Sequence, residues 1–255
     1  NLNGASTQIA SAGGAISVTG TTAGGMAGGD GIVISAGIST AINATNAATI
    51  SLAGSGDSAD SALQIDSPIS SGTGSVTLTS NAGDSTRDDI TFGAGGDITS
   101  TSGTITIDAE NGDNTADVVM VDGTLINAGT GLIDIDADVD VTLGGLQTSG
   151  NVNITAGTGS IMDGGDTHDD IAGDTATLDA ATGIGDGNAL ETAVATLDAS
   201  TSGAGDIEVS ESDAIDLSDV DTANGSISVS AGGQVTATDV ESLTDCLLYT
   251  SDAAD

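Results

Sequence analysis

The stretch "GLIDIDADVDVTLGGL", residues 131–146, places four aspartates at alternate positions. The positions between them carry aliphatic side chains, beginning with Ile133 and Ile135. Strict alternation over such a run predicts a β-strand, because successive side chains of a strand point to opposite sides. We therefore expect the aspartates to share one solvated face, opposite a buried aliphatic face. They are Asp134, Asp136, Asp138 and Asp140.

A calcium site in this run is the alternative interpretation. Calcium takes several carboxylate oxygens, and neighbouring like charges favour a counter-ion. Alternate residues of a strand lie roughly 6.6 Å apart, however, so one ion contacts two of them poorly. The run also lacks the glycine and the terminal glutamate of an EF-hand loop, and it lacks the GGxGxD core of calcium-binding nonapeptide repeats. It therefore predicts weak and diffuse calcium binding without a dedicated site.

Short alternating segments of the same kind recur along the chain. Each has a glycine, a spacer and then Ile, Val or Leu at alternate positions: "GGAISVTG" (13–20), "GIVISAG" (31–37), "GSVTLTS" (74–80), "GTITIDA" (103–109), "GNVNITA" (150–156), "GDIEVSE" (205–211) and "GSISVSA" (225–231). Gly131 and Gly150 are 19 residues apart, whereas the steps from Gly74 to Gly103 and from Gly103 to Gly131 are 29 and 28. A period near 20 with short strands and no helical pattern predicts a solenoid.

The predicted fold class is therefore all-β, a parallel β-helix with coils of roughly 19–29 residues. One coil cannot bury its own aliphatic side chains, but a stack of coils buries a continuous column, with each backbone bonded to the coils roughly 4.8 Å above and below. Residues 1–245 are expected to form a single such segment. At about 20 residues per coil the upper limit is about twelve coils and a rod roughly 50 Å long, with fewer coils where inserts lengthen them.

The composition excludes several classes of partner. The formal charge is −37, with 38 acidic residues, one arginine and no lysine. Nucleic-acid binding needs Lys and Arg at the phosphates, and anionic membrane surfaces repel such a chain. No apolar run is long enough to insert into a membrane. High charge and few aromatic residues are also typical of disorder, but regular β-branched alternation and a mean hydropathy of +0.14 favour a folded chain.

The last ten residues, "CLLYTSDAAD" (246–255), differ in style from the rest and hold the only Cys and the only Tyr of the chain. They match the translation of a common transposase sequencing adapter. We interpret residues 246–255 as a non-native tail and the remainder as a fragment of a longer protein. The natural segment then has no cysteine, which removes disulfides and thiolate sites.

The "GxIxIxA" strands, together with the passage "TATLDAATGIGDG…VATLDASTSGAGDIEVSESDAIDL" (175–217), resemble the β-strand-repeat regions of large bacterial surface proteins of the filamentous-haemagglutinin and autotransporter-passenger type. The motif is degenerate and covers most of residues 13–240. The resemblance implies a right-handed winding and export to the outer membrane or the cell exterior. It also implies a stalk or adhesion role, with a host or neighbouring cell surface, a glycan or extracellular matrix as partner.

A second acidic segment, "DGGDTHDD" (163–170), is the best local cluster for a metal ion or a base, because it surrounds a lone histidine with carboxylates. Its candidate ligands are Asp163, Asp166, His168, Asp169 and Asp170. A surface loop without a ligand is the interpretation we favour for it. No cofactor is expected beyond weakly bound calcium, and a calcium-stabilised extracellular module is the alternative function.

The remaining alternative is a polysaccharide-degrading β-helix enzyme. Acid hydrolysis of a glycosidic bond needs two carboxylates at a defined separation. The chain lacks the Lys and Arg that bind uronates and has almost no aromatic rings to stack on sugars. Its single histidine has no "GxSxG" nucleophile to serve. We therefore expect no enzymatic activity and no catalytic residue.

Overall fold

The computed structural model describes residues 9–21, 30–35, 38–40, 47–56, 61–81, 89–109, 115–165, 168–244 and 247–251. Within these ranges the chain forms twenty-seven strands and no helix. The strands are β1 (Ile9–Ser11), β2 (Ile16–Thr21), β3 (Ile32–Ile34), β4 (Ile38–Thr40), β5 (Ile50–Ser55), β6 (Leu63–Ile65), β7 (Ile69–Ser70), β8 (Val76–Ser80), β9 (Ile90–Phe92), β10 (Ile98–Thr99), β11 (Ile105–Ala109), β12 (Val118–Met120), β13 (Leu125–Gly129), β14 (Ile133–Ala137), β15 (Val141–Leu143), β16 (Gly145–Thr148), β17 (Val152–Ala156), β18 (Ser160–Asp163), β19 (Ile171–Ala180), β20 (Gly183–Ile184), β21 (Leu190–Ala204), β22 (Ile207–Glu211), β23 (Ile215–Asn224), β24 (Ile227–Ala231), β25 (Val235–Ala237), β26 (Val240–Ser242) and β27 (Leu247–Ser251).

The strands stack in parallel columns, as a β-solenoid requires. The first face carries β2, β5, β8, β11, β14 and β17, each paired in parallel with the next. The second face carries β3, β6, β9, β12, β15 and β18, and the third carries β1, β4, β7, β10, β13 and β16. Two longer strands, β19 and β21, run from the third face into the first without a break. The predicted parallel solenoid is confirmed, while its handedness stays a prediction.

The solenoid has about eight turns, fewer than the limit of twelve. Ile133 pairs with Val152, 19 residues later, as the short predicted period requires. The two preceding steps on this face, from Val76 to Ile105 and on to Ile133, are the longer ones predicted from the glycine spacing. Longer coils in the first half therefore account for the smaller number of turns.

The core is a narrow column of stacked aliphatic side chains. Ile133 and Ile135 are fully buried, as the alternation predicts. Each lies directly between equivalent side chains of the coils above and below, so that Ile105, Ile133 and Val152 form one continuous stack. Burying a side chain of this size contributes roughly 1.5–3 kcal/mol. The core also holds larger groups, Phe92 and Met120, both 1% exposed.

Close approach of successive coils explains the glycine that opens most of the repeats. A Cβ placed on Gly131 would lie 2.3 Å from the carbonyl oxygen of Gly103, and one on Gly103 would lie 2.2 Å from that of Gly74. No side chain fits at such a distance, so glycine is required at this corner in each of these coils.

The outward side chains of the first face change character along the rod. One column of paired positions begins with hydroxyl groups and continues into carboxylates: Ser17, Ser51, Thr77, Thr106, Asp134, Asn153, Thr177, Asp198 and Asp219. Two residues along the strands, Asp108 pairs with Asp136. We call the part of this face from β14 onward the acidic face.

The segment interpreted as a translated adapter lies partly within the described residues, where Leu247–Ser251 pairs in register with Ile227–Ala231. An open solenoid end offers unpaired backbone groups to any alternating segment. This pairing therefore does not decide whether residues 246–255 are native. Their interpretation as a non-native tail and the boundary at residue 245 stay predictions.

Candidate functional site

The aspartate run of residues 134–140 is split by a corner. Strand β14 ends at Ala137, so Asp134 and Asp136 lie half-buried on the outer face, whereas Asp138 is buried at 8% exposure. Asp140 lies beyond the corner, directly before β15. The expectation that all four share one solvated face is therefore wrong, because the chain turns after five strand residues.

Asp140 performs a backbone role in the next corner. Its Oδ1 accepts the backbone N–H of Ser160, one coil later, at 2.7 Å. The backbone N–H of Asp140 is in turn donated to Oδ1 of Asp117 at 3.0 Å, and that of Asp117 to Oδ1 of Asp89 at 3.1 Å. These carboxylates thus bond the corners of successive coils to one another.

The same arrangement recurs wherever an aspartate directly precedes the first buried Ile or Val of a strand. We call these residues the corner aspartates; each accepts a backbone N–H of the following coil at 2.6–3.1 Å. They are Asp89, Asp97, Asp117, Asp140, Asp170 and Asp206. Six of the 38 acidic residues of this chain therefore have a structural role.

Asp134 and Asp136 have carboxylate neighbours but no convergent geometry. Burial raises the pKa of Asp136, a hydrogen bond with Thr155 opposes the rise, and the charges of Asp134 and Asp108 add to it. Among the described side chains, three acidic groups come close enough to share an ion in two places, and neither place includes this run.

The first of those places joins the two ends of the 163–170 segment to the following coil. Asp163 ends β18, Asp170 precedes β19, and Glu191 lies near the start of β21. Carboxylate oxygens of these three residues all lie within 4.8 Å of one another. We call this group the carboxylate triad.

Backbone and amide donors fix the orientation of the triad. Asp163 Oδ1 accepts the N–H of Gly165 at 2.5 Å, and its Oδ2 accepts a hydrogen bond from the Asn188 side-chain amide. Asp170 Oδ2 accepts the N–H of Glu191 at 2.9 Å. Asp170 is fully buried, and its Oδ1 has no hydrogen-bond partner.

The electrostatics of the triad are unfavourable to full ionisation. Burial and the charge of Asp163 raise the pKa of Asp170 to about 8, against the opposing hydrogen bond from the Glu191 N–H. A buried carboxylate facing two others is costly unless a proton or a cation compensates it. The triad is therefore a place where a positive charge is stabilised.

The other candidates of this segment lie elsewhere. The His168 ring packs against the backbone of Gly145, with Nδ1 3.8 Å from Oδ1 of Asp122. Asp169 is exposed, and Asp166 lies outside the described residues. The histidine that made this segment a metal candidate thus approaches Asp122 and is not a member of the triad.

The sequence prediction missed Glu191, which belongs to no local acidic motif. It reaches the triad through stacking, because it follows Asp170 by 21 residues, the length of one coil here. Searching for acids one coil apart would have found it.

The second place, formed by Asp186, Asp206 and Glu208, is more open. Asp186 is exposed, and Asp206 is half-buried, with its Oδ1 accepting the N–H of Ser226 at 2.6 Å. This group has the chemistry of a solvated surface cluster.

Glu211 is the other deeply buried acid near the triad, at 3% exposure. Its Oε2 accepts hydrogen bonds from the Thr192 hydroxyl at 2.9 Å and the Val194 N–H at 3.0 Å, and its Oε1 accepts the Asp213 N–H at 3.2 Å. Burial raises the pKa of Glu211 against these hydrogen bonds. Both carboxylate oxygens of Glu211 therefore accept hydrogen bonds, which connect β21 to the turn after β22.

Comparison with known proteins returned no matching family model, no matching curated protein and no matching solved structure. Across the described ranges, no helix has the length and apolar character to span a membrane. The fold defines the class: the chain is a parallel β-solenoid repeat protein.

Proposed function

We propose that this chain is a structural repeat region of a large exported bacterial surface protein, where it serves as a stalk or an adhesion surface. The observation that carries the proposal is the unbroken stacking of the first face from Ile16 to Val240. Every coil in that stack is bonded to its neighbours by parallel backbone ladders. Such a rod holds a distant group away from a surface and resists extension, because many hydrogen bonds must break together to release one coil.

The outer surface supports this extracellular role. Carboxylates on the acidic face keep the rod soluble and oppose pairing between copies by like-charge repulsion. In this proposal the partner is a cell surface, a glycan or extracellular matrix, which small hydroxyl and carboxylate groups can contact by hydrogen bonds. Nucleic acid is disfavoured by the charge of −37.

A non-catalytic role is part of the proposal. Asp170, whose pKa burial raises to about 8, is fully buried, and a general acid has to reach the glycosidic oxygen of its substrate. This burial favours the stalk over a polysaccharide-degrading enzyme.

The stalk proposal is tested by pulling single molecules of the full chain from both ends. We expect unfolding in steps that each release about 20 to 30 residues of contour length, the size of single coils. Release of the whole chain at low force in one featureless extension would contradict the role as a stalk.

The adhesion surface is tested separately by binding the full chain to immobilised glycans and to bacterial and animal cells. Saturable binding to one of these surfaces is the expected result. Non-specific charge effects are screened at 150 mM salt. If binding to every surface vanishes at that salt concentration, the adhesion role is overturned, whereas the role as a stalk is unaffected.

A further inference from the structure

We propose that Asp163, Asp170 and Glu191 bind one hard divalent cation, calcium, which ties the corner between β18 and β19 to the following coil. Calcium–oxygen distances are about 2.3–2.6 Å, so two oxygens on one ion lie at most about 5 Å apart. The oxygens of the triad already lie within 4.8 Å of one another. The three side chains can therefore contact the same ion without a change in the backbone.

The unpartnered oxygen of Asp170 separates this site from an ordinary acidic cluster. Asp170 is fully buried, its Oδ1 has no hydrogen-bond partner, and its carboxylate lies within 4.8 Å of an oxygen of each of the other two acids. Leaving a buried oxygen without a partner is destabilising, and more so when the group is charged. A cation among the three carboxylates removes that destabilisation.

The ligands are held in place before the ion arrives. The Gly165 N–H and the Asn188 amide orient Asp163, and the Glu191 N–H orients Asp170 through Oδ2, which leaves Oδ1 free to coordinate. Donors of this kind fix the direction of ligand oxygens in protein metal sites. Neither the aspartate run at 134–140 nor the cluster around Asp186 combines such orientation with a buried, unpartnered oxygen.

The chemistry of the donors selects the kind of cation. All three ligands are carboxylates, and His168 is directed toward Asp122, so the site offers hard oxygen without nitrogen or sulfur. Hard oxygen ligands suit calcium and magnesium rather than zinc or copper. Calcium tolerates irregular geometry and takes 6–8 oxygens, whereas magnesium demands a near-ideal octahedron. Three ligands from two coils, completed by water, fit calcium better.

The test compares calcium binding by four versions of the full chain, because a chain with 38 acids also binds calcium diffusely. Each is freed of metal with chelator and titrated calorimetrically with CaCl2 at pH 8 in 150 mM KCl, where diffuse binding is screened. The variants are Asp170→Asn, Glu191→Gln and, as the matched control, Asp186→Asn in the open cluster.

We expect the unsubstituted chain to show one site at least tenfold tighter than the background, together with a higher melting temperature in calcium. Asp170→Asn and Glu191→Gln should lose that site, and Asp186→Asn should keep it within about twofold. Asp170→Asn keeps the shape of the side chain and removes a buried charge, so its fold without metal, checked by circular dichroism, should be at least as stable.

The proposal is overturned if Asp170→Asn binds calcium with unchanged stoichiometry and affinity. It is also overturned if the control loses the tight site as fully as the two triad variants do. A parallel titration with MgCl2 decides the ion: equal affinity for magnesium would overturn the choice of calcium while keeping the site.

Discussion

Glu211 illustrates how this chain buries acids, by surrounding the carboxylate with hydroxyl and backbone donors. Those bonds do not fully offset the loss of water, so burial still raises its pKa. The folded state therefore holds a proton at pH values where the unfolded chain, with an ordinary pKa of 4.5, has released it.

The pH dependence of the free energy of unfolding follows from this rise in the pKa of Glu211. Because the folded state binds more protons than the unfolded state above pH 4.5, the contribution of Glu211 to the free energy of unfolding falls as pH rises through its folded pKa. Replacing it, as in Glu211→Gln, should flatten the decline above pH 4.5, by at most about 1.4 kcal/mol per pH unit. Urea unfolding in the presence of chelator measures this slope.

Glu208→Gln is the control for that experiment, since Glu208 lies on the same strand but points outward. It should keep the slope of the unsubstituted chain. Identical slopes in both variants would show that Glu211 does not titrate with folding.

At the level of the strand and its corner, the corner aspartates supply acceptors for N–H groups that no ladder satisfies. In Asp140→Ala the N–H of Ser160 loses its acceptor, so we expect a loss of about 1–2 kcal/mol in the free energy of unfolding. Asp174→Ala removes the same charge at an exposed position and should change stability by less than about 0.5 kcal/mol. Equal urea midpoints for the two variants would show that the corner aspartates do not contribute to the free energy of unfolding.

The strands themselves were predictable, because alternation of aliphatic side chains decides which face is buried whatever the neighbours are. Ile133 and Ile135 face inward for that reason. The end of β14 was missed, since alternation continues through the sequence at Asp138 and Asp140 while the backbone turns. A corner is set by the width of the coil as a whole, which no local pattern contains.

Two of the three triad residues were predicted from the sequence, and the third was missed for a related reason. Asp163 and Asp170 belong to one visible acidic segment, but the coil spacing brings Glu191 to them and the packing against Gly145 takes His168 away. The corner aspartates do have a sequence signal, Asp directly before Ile or Val at a strand start. Its meaning depends on which residue the next coil places beside it.

For the whole molecule, stacking predicts that a complete coil is dispensable. Deleting residues 105–132 places Ile133 directly after "GT" at 103–104, which restores the repeat motif and brings Val76 over Ile133. We expect a folded protein with cooperative urea unfolding and a smaller m-value, because about one turn in eight is lost.

Deleting only residues 105–118 is the matched control. It removes part of a coil, so strands of different faces would meet out of phase and aliphatic side chains would be exposed. Circular dichroism should show loss of β structure in this shorter deletion. Equal stability of the two deletions would contradict a stack of discrete coils.

The change from hydroxyls to carboxylates along the first face makes the C-terminal end of that face more negatively charged than its N-terminal end. In the column described above, the positions from Ser17 to Thr106 are neutral, whereas later positions carry Asp134, Asp198 and Asp219. Two copies that meet through this side repel least when they run antiparallel, because each charged half then lies beside a neutral one. Bundles formed this way would be antiparallel, loosened by low ionic strength and tightened by salt.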